Sequence, residues 1–433
     1  MPFIAGKQGG GGAGGAYGLL WQEAINANVP PMTAEDFDAG QGSCLFTRGK
    51  SLYDAVETKP SLLIVPQMYA AGKLAVDIPS PVYFDVTRAT TATRVNSSGL
   101  IESVASGVPR IDWLGQSCPA LLVEPSATNL VLQSRDLSVS GSWTASGITA
   151  VRNATGADGT ASGACTLTST AADATIVQNL SHASQSRIFS ASIRRVSGSG
   201  GIELTTNGGT NWTAVTITTA FTRVACAAQT VASGQVGIRM KQSDNVIEVD
   251  FTQGEVGPVA TSPIPTTTGS ASRNADNISA SGALVSGLIG QTEGTIYAEV
   301  DLRSLPSVGI ILSINTGNAT DRIELYTTSN GKVNFDRLAT TESGSTPGAA
   351  SNSTYSVNSI LKIAIGYKSG DTIMYINGIA ETSQQTATFT FATIFRVNIG
   401  SGRLSTSSFN NRIRAAALYT TRLSNDQLAE LTT

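Results

Sequence analysis

Residues 361–382 read LKIAIGYKSGDTIMYINGIAET, a stretch that decides the fold class of the chain. Its apolar residues alternate with polar or small ones, which is the period of a half-buried β-strand. Two turn signals interrupt the alternation, Ser–Gly–Asp at 369–371 and Asn–Gly at 377–378. Because Asn–Gly between alternating runs is the strongest short hairpin signal, the stretch predicts consecutive antiparallel strands.

The same pattern recurs through most of the chain. Residues 322–335, RIELYTTSNGKVNF, predict another hairpin around an Asn–Gly turn. In NVIEVDF, residues 245–251, one face carries Val, Glu and Asp, and the other carries Ile, Val and Phe. Between 127 and 275, about eight strand-like segments recur at intervals of roughly 8–15 residues, which predicts a jelly-roll sandwich.

These patterns predict an all-β protein with two tandem antiparallel β-sandwiches after an irregular N-terminal segment. Residues 1–80 are predicted to form an N-terminal attachment segment, with a Gly-rich start, a short helix and a strand. An irregular β-rich connector follows at 81–126. The jelly-roll domain covers 127–275, and the second sandwich covers 276–433 and ends in a helix capped by Ser424.

Residues 253–276, QGEVGPVATSPIPTTTGSASRNAD, interrupt the strand pattern between the two sandwiches. Pro263 and Pro265 cannot donate hydrogen bonds to a strand ladder, and they stiffen the chain. We therefore expect a linker that fixes the two sandwiches relative to one another.

Charged residues of both signs recur in the connector. Three arginines alternate there with four acids: Arg88, Arg94 and Arg110 with Asp85, Glu102, Asp112 and Glu124. The balance predicts an extended segment held by side-chain ion pairs rather than by a core.

Composition and charge exclude several classes of protein. The chain has 433 residues, a formal net charge of −3 and no run of Lys or Arg, which argues against binding to nucleic acid. No apolar run approaches the roughly 18–20 residues that span a bilayer, so we expect no membrane insertion. The N-terminus lacks the regions of a secretory signal, which predicts synthesis in a cytoplasm.

Cys165 and Cys226 are expected to be buried small hydrophobic residues, with a disulfide bridge between them as the alternative.

Residues that carry catalytic chemistry are sparse. His182 is the one histidine, and nothing near it indicates a Ser–His–Asp set. The acids with strand spacing, Glu203, Glu248, Glu299 and Asp301, are predicted to lie on outward faces. We therefore expect no enzymatic activity.

No cofactor is expected apart from a structural calcium ion, for which Asp321, Asp371 and Asn377 are the candidate ligands.

Sugar binding is the functional class that the residues leave open. Exposed aromatic rings stack on sugars, while Asn side chains bind the hydroxyl groups. Trp212 follows a glycine-rich turn, TTNGGTNW, which makes Trp212, Asn207 and Asn211 the candidate glycan contacts. The alternative for Trp212 is a packing role at the end of the sandwich.

Several sequence segments between residues 62 and 143 occur in an order that is typical of one protein family. FDVTRATTATRVNSSGLIESV at 84–104, VPRIDW at 108–113 and CPALLVEPSATNLVLQS at 118–134 are followed by Trp143. In this order they resemble a segment of tailed-bacteriophage fibre and virion-surface proteins. LLIVPQMYAAGKLAVDIP, at 62–79, fits the same pattern.

The resemblance continues to residue 433. Residues 253–276 resemble the end of the jelly-roll module of those proteins, a module that is similar to carbohydrate-binding modules. The C-terminal stretch from IAIGYKSGDTIMYINGIAE to FNNRIRAAALYTTRLSNDQLAEL resembles the concanavalin-A-like, or laminin-G-like, sandwich.

This resemblance implies a structural protein of a phage virion, such as a tail or head fibre, a spike or a decoration protein. The N-terminal segment would dock to the particle through Phe3, Tyr17 and Trp21, and the sandwiches would project outward and bind host surface glycans weakly. Many copies would raise the avidity. The implied partners are other virion proteins of the tail, collar or capsid. A homotrimer is the favoured oligomer, because cyclic symmetry shields edge strands.

Two other functions compete with this one. The first is a purely architectural collar, sheath or capsid decoration protein that binds only other virion proteins. The second is a polysaccharide depolymerase, which requires a cleft with clustered acids and usually carries β-helix repeats. No fixed period in the chain indicates such repeats.

Overall fold

The computed structural model describes residues 55–66, 69–70, 73–75, 83–180, 183–208, 210–318, 320–343, 348–403 and 407–433. Its elements are almost all strands. Those before residue 130 are β1 (Leu62–Ile64), β2 (Tyr69–Ala70), β3 (Lys73–Ala75), β4 (Tyr83–Thr87), β5 (Ala92–Val95), β6 (Ile101–Val104), β7 (Arg110–Asp112), β8 (Ala120–Val123) and β9 (Ala127–Asn129).

The first sandwich follows. Its strands are β10 (Thr144–Ser146), β11 (Ile148–Ala154), β12 (Ala164–Ser169), β13 (Ala174–Leu180), β14 (Gln185–Ser197), β15 (Ile202–Thr205), β16 (Thr213–Val215), β17 (Thr222–Ala225), β18 (Gln229–Val231), β19 (Gly234–Met240) and β20 (Val246–Val256). A five-stranded sheet has the order β10-β13-β19-β15-β16. A six-stranded sheet has the order β11-β12-β20-β14-β17, with β18 also paired to β14.

The rest of the chain completes the second sandwich. Its elements are β21 (Ala271–Arg273), β22 (Asn277–Ser281), α1 (Ala283–Ser286), β23 (Glu293–Asp301), β24 (Val308–Asn315), β25 (Arg322–Thr328), β26 (Val333–Leu338), β27 (Thr341–Ser343), β28 (Gly348–Ala350), β29 (Ile360–Lys368), β30 (Asp371–Ile376), β31 (Ile379–Ala380), β32 (Thr388–Thr390), β33 (Arg396–Ile399), β34 (Asn411–Tyr419) and α2 (Asn425–Thr432). One sheet runs β31-β30-β29-β23-β34-β8-β7, and the other runs β2-β3-β4-β22-β33-β24-β25-β26-β28.

The predicted all-β fold of antiparallel sandwiches is confirmed, and the strand order adds a feature that the sequence pattern did not show. Strands from before residue 124 belong to the sheets of the second sandwich: β1 and β8 pair with β34, and β4 pairs with β22. The first sandwich is therefore an insertion between β8 and β22.

Two stretches of chain connect the sandwiches, where the sequence analysis expected one. They pair with each other, because β9 and β21 form a two-stranded antiparallel ribbon with Ala127 opposite Arg273. The proline stretch between β20 and β21 is held by side chains: Asn129 Nδ2 donates to Ile264 O at 2.8 Å, and Thr93 Oγ1 donates to Pro263 O at 2.6 Å. Its rigidity thus comes from these hydrogen bonds as well as from the prolines.

The connector contributes to a hydrophobic core, contrary to expectation. Phe84, Ile111, Leu121 and Val123 are buried in the core of the second sandwich. A separate core fills the first sandwich. A third apolar cluster lies where α2 packs on the outer face of the sheet that contains β29 and β34.

Local turn and cap predictions are confirmed. Asn377 and Gly378 have φ of 49° and 81°, the left-handed conformation that an Asn–Gly hairpin turn requires. The hairpin around 329–331 joins β25 to β26. Ser424 and Gln427 form a reciprocal capping box at α2.

The cysteines take two states. Cys165 and Cys226 are buried free thiols, so the alternative of a bridge between them is wrong. Cys118 is disulfide-bonded, which the sequence analysis did not expect. Among the described residues, no helix has the length and apolar character needed to cross a membrane.

Candidate functional site

The β15–β16 loop places Trp212 on the outer face of the five-stranded sheet. The guanidinium of Arg239 lies 4.6 Å from the centroid of the indole, and Arg239 is itself held by Glu203 at 2.5 Å. Arg239 and Glu203 face each other on neighbouring strands, between residues that point into the core. The half-buried indole is thus outside the hydrophobic core of this sandwich. The position of Trp212 is compatible with a sugar contact, which stays a prediction.

Asn207 and Asn211 converge on one partner. Their side-chain amides donate to Gln229 Oε1 at 2.8 and 3.2 Å, and Asn207 Oδ1 accepts from the backbone N–H of Asn211 at 2.9 Å. The loop conformation is therefore fixed by its own side chains. Asn211 is exposed, and its Oδ1 makes no hydrogen bond with the described residues. This oxygen is available to a hydroxyl group of a ligand.

Arg187, which was not among the predicted site residues, lies opposite the Gln229 that contacts this loop. It is directly opposite Gln229 in the β14–β18 pair, so the two side chains leave the sheet on the same side. Arg187 is 2% exposed, and its Nη2 donates to Ala183 O at 2.9 Å. Nε and Nη1 have no partner among the described residues.

A signal for Arg187 was present in the alternation of β14. Phe189, Ala191 and Ile193 are core residues of the same strand, and Arg187 continues their spacing. Arg187 therefore points between the two sheets, whereas Trp212 lies on the outer face. We call Asn207, Asn211, Trp212 and Gln229 the loop-end site. It combines an aromatic ring with side-chain amides, groups that suit a polar ligand such as a sugar.

The three candidate calcium ligands are each engaged by protein donors. Asp321 accepts from the backbone N–H groups of Thr340 and Ala392 at 2.8 and 2.9 Å. Burial acts to raise the pKa of Asp321, but the hydrogen bond from the Thr340 hydroxyl, together with the two backbone N–H groups, outweighs it and the pKa is lowered. The Asp321 carboxylate therefore accepts hydrogen bonds that hold its own turn and the neighbouring loops together.

Asp371 and Asn377 have separate partners. Asp371 Oδ1 accepts from Arg422 at 2.8 Å, and Asn377 Oδ1 accepts from the backbone N–H of Lys362 at 2.9 Å. Within the described ranges, no three His, Cys, Asp or Glu side chains group as metal ligands would. A calcium ion at Asp321, Asp371 and Asn377 stays an untested prediction.

A cluster of buried charged side chains lies where the two sandwiches are joined. Asp276 accepts from Arg88 Nη1 at 2.7 Å, from Arg110 and from the backbone N–H of Glu124 at 3.0 Å. Glu124 pairs with Arg110 at 2.6 Å and with Arg273 at 2.8 Å. We call Arg88, Arg110, Glu124, Arg273 and Asp276 the junction cluster.

The junction cluster joins the connector to the linker. Ser262 of the linker donates to Glu124 through both its backbone N–H and its Oγ, at 2.7 and 2.6 Å. Burial acts to raise the pKa of Glu124, but Arg273 and Arg110 outweigh it and hold the pKa at about 2. The predicted side-chain pairing of the connector is confirmed for Arg94 with Glu102 and for Arg110 with Glu124.

The carboxylates considered for catalysis are all ion-paired. The pairs are Glu203 with Arg239, Glu248 with Arg194, Glu299 with Arg414, and Asp301 with Arg412. Glu299 and Asp301 alternate with the core residues Ala298, Val300 and Leu302, so they point to the outer face of the sheet, but they are only 7% and 1% exposed. Their arginine partners Arg412 and Arg414 both lie on the neighbouring strand β34.

Four residues of the sequence analysis lie outside the described ranges. They are the docking candidates Phe3, Tyr17 and Trp21, and the histidine His182.

No protein-family model and no curated protein matches the sequence. Among solved structures, the chain is similar to the CBM40 of an IT-sialidase from Ruminococcus gnavus, with 19% identity over 33% of this chain and 84% of that chain and a TM-score of 0.29. It is also similar to domain 4 of a GH43 extracellular arabinanase from Geobacillus stearothermophilus (17% identity, 41% and 84% of the chains, TM-score 0.30) and to the NanB sialidase of Streptococcus pneumoniae (13%, 34% and 25%, 0.30). At these values the likenesses carry no conclusion about ligand or activity.

Proposed function

We propose that this chain is a non-enzymatic structural protein of a virion surface, a fibre, spike or decoration protein that binds host surface glycans weakly. The order of motifs over residues 61–433, which resembles tailed-phage surface proteins, supports the virion location. The N-terminal residues would contact other virion proteins of the tail, collar or capsid. After synthesis in the host cytoplasm the protein would assemble on the particle, with a homotrimer as the favoured state.

The observation that carries the proposal is the junction cluster. Five charged side chains, each no more than 5% exposed, tie the connector and the linker together. Paired and hydrogen-bonded buried charges hold one geometry, because any displacement leaves an ion without a partner. A two-sandwich unit with such a junction suits a rigid projection from a particle.

The loop-end site supports the glycan part of the proposal. Its ring and its amides are held by the protein itself, so a ligand would meet groups that are already in position. The pairing of Glu203, Glu248, Glu299 and Asp301 with arginines supports binding without hydrolysis. A glycosidase needs one carboxylic acid that is free to give up its proton and a second carboxylate nearby.

Retention of the full chain on an array of bacterial surface glycans tests the binding. We expect retention of the wild-type protein and a loss of about tenfold or more for Trp212→Ala, the scale of a stacked aromatic contact. The control is Trp113→Phe, at a partly buried tryptophan that packs against the second core. Wild-type protein that binds no glycan would refute this part and leave the purely architectural function.

The location has its own test. Immunogold electron microscopy of purified virions, with antibodies against this chain, is expected to show label on the particle surface. Label confined to soluble protein of the host lysate would contradict a virion location.

A further inference from the structure

The outer face of the nine-stranded sheet contains a cavity of about 260 Å³. Arg322, Glu324 and Tyr326 alternate along β25 with buried Ile323 and Leu325, so the three side chains point to the same outward face. Asp336 joins them from β26, where it is directly opposite Glu324. Val308, Ile310, Gly402, Arg403 and Ser407 complete the walls.

The acidic side of this cavity is preorganised. Arg322 lies 3.2 Å from Glu324 Oε2 and 2.8 Å from Asp336 Oδ2. Ser313 donates to the other oxygen of Glu324 at 3.3 Å. Asp336 keeps its Oδ1 without a hydrogen bond to the described residues, and its side chain is 33% exposed. This oxygen is an acceptor that faces the cavity.

The opposite wall offers an apolar surface and a cation. Tyr326 is half-buried, and its hydroxyl makes no hydrogen bond with the described residues. Val308 is 39% exposed beside it, and Ile310 faces Tyr326 across the strand pair. Arg403 is half-buried and makes no ion pair or hydrogen bond with the part of the chain described here. Burial, followed by the charges of Asp336 and Glu324, raises the pKa of Tyr326, so its hydroxyl stays protonated and can donate.

We propose that this cavity, the Tyr326 pocket, binds one neutral pyranose ring of a glycan. The C–H face of the sugar would lie against Tyr326 and Val308, its hydroxyl groups would donate to Asp336 Oδ1, and its oxygens would accept from Arg403. The two arginines balance the two carboxylates, so the lining carries no net formal charge that would select an acidic sugar. The volume is below the roughly 300–1,000 Å³ of drug-sized pockets, which suits a single ring.

This inference rests on the proposed glycan-binding function and extends it to a second module. A chain with one site on each sandwich can hold two units of a polymer at once. Linked weak sites raise the overall avidity by about 10²–10⁴ when the geometry lets both bind together.

A residue-specific test uses the full chain labelled with 3-fluorotyrosine and followed by ¹⁹F NMR. The resonance of Tyr326 is assigned as the one that is missing from Tyr326→Phe, and Tyr375→Phe assigns a half-buried control on the other sheet. The probes are the methyl glycosides of glucose, galactose, mannose and N-acetylglucosamine. We expect the Tyr326 resonance to shift and to saturate with at least one of them, while the Tyr375 resonance does not move.

A second variant tests the assigned cation. Arg403→Ala removes no contact within the described structure, so the fold should be kept, and we expect the apparent Kd for the same glycoside to rise about tenfold. A Tyr326 resonance that moves with none of the four glycosides would overturn the inference. So would an Arg403→Ala variant that binds as tightly as the wild type.

The two proposals fail differently. Glycan-array retention that depends on Trp212, with a Tyr326 resonance that stays still, would leave the proposed function intact and remove the second site. A saturating shift at Tyr326 together with retention that Trp212→Ala does not change would move the glycan site to the second sandwich.

Discussion

Replacing Asp276 with Asn removes one charge from the junction cluster and turns one of its two acceptor oxygens into an N–H donor that faces another donor. Asn has nearly the same shape as Asp, so the packing around position 276 is kept. The wild-type cluster sets three guanidinium groups against two carboxylates, and Asp276→Asn leaves the three cations with Glu124 alone. Arg88 loses its one carboxylate partner and keeps backbone carbonyls as acceptors.

The size of the effect follows from burial. Arg88 and Arg110 are 2% and 0% exposed, and Asp276 is 1% exposed, so water cannot replace the missing charge. Removal of one partner from a buried ion pair typically costs about 3–5 kcal/mol, because the remaining charge is left uncompensated. Against a typical total stability of about 5–15 kcal/mol, that is a large fraction.

Equilibrium unfolding in urea measures the change at pH 7, with tryptophan fluorescence and far-UV circular dichroism as parallel probes. The matched control is Asp173→Asn, the same substitution at an exposed ion pair with Lys241 where the side chain of Asp173 is 57% exposed. We expect no measurable change in the control. A loss of less than about 1 kcal/mol in Asp276→Asn, the scale of an exposed pair, would refute the reasoning.

Three further predictions concern other parts of the molecule. The pKa of Glu124 is about 2 in the folded protein, below its ordinary 4.5. The ionised carboxylate therefore contributes about 3 kcal/mol to the free energy of unfolding above pH 4.5, and this contribution is lost as the pH falls toward 2. Urea unfolding at a series of pH values should show this loss in the wild type, and a slope that Glu124→Gln leaves unchanged would contradict it. Gly290→Ala should lower the free energy of unfolding by about 3 kcal/mol or more, because a Cβ there would lie 1.7 Å from the carbonyl oxygen of Glu293. The control is Gly141→Ala, where an added Cβ meets nothing within 4 Å and the same assay should show no change. Arg187→Met should leave the free energy of unfolding unchanged or raise it by about 1–4 kcal/mol, because it removes a buried cation that has no carboxylate partner among the described residues. A clear loss of stability would contradict this.

Local sequence signals predicted the local structure well. Asn377–Gly378 and the Asn–Gly at 330–331 mark turns, because their backbone conformation is one that few other residues adopt without strain. Ser424 with Gln427 marks the start of α2 through hydrogen bonds within one turn. These signals involve neighbours in sequence, so the sequence alone shows them.

The insertion of one sandwich into the other could not be predicted in this way. Leu62 pairs with Leu418, and the two residues lie more than three hundred positions apart. Period-two alternation shows that a segment is a strand, but it does not show which strand lies beside it. The connector therefore looked as if it had no core, although its buried residues fill the core of a sandwich whose other strands come much later.

The candidate sites likewise combine residues that are neighbours in sequence, which could be predicted, with residues brought together by the fold, which could not. Asn207, Asn211 and Trp212 were found because a glycine-rich turn places them on one loop. Gln229 reaches that loop from another strand, and no spacing in the sequence links it to the loop. The Asp276 partner of Arg88 could not be predicted for the same reason, because the two residues lie 188 positions apart in the sequence.

The central claim is that the junction cluster makes the two sandwiches one rigid unit. Its most direct test is a distance distribution from double electron–electron resonance between Val151 and Ile379, which are 48% and 64% exposed on the first and second sandwich. Nitroxides attached there through an unnatural keto amino acid leave every cysteine unmodified, and dilution with unlabelled chain removes distances between copies. We predict a single narrow distribution. A broad distribution, or one with several maxima, would show that the sandwiches move independently and would contradict the account.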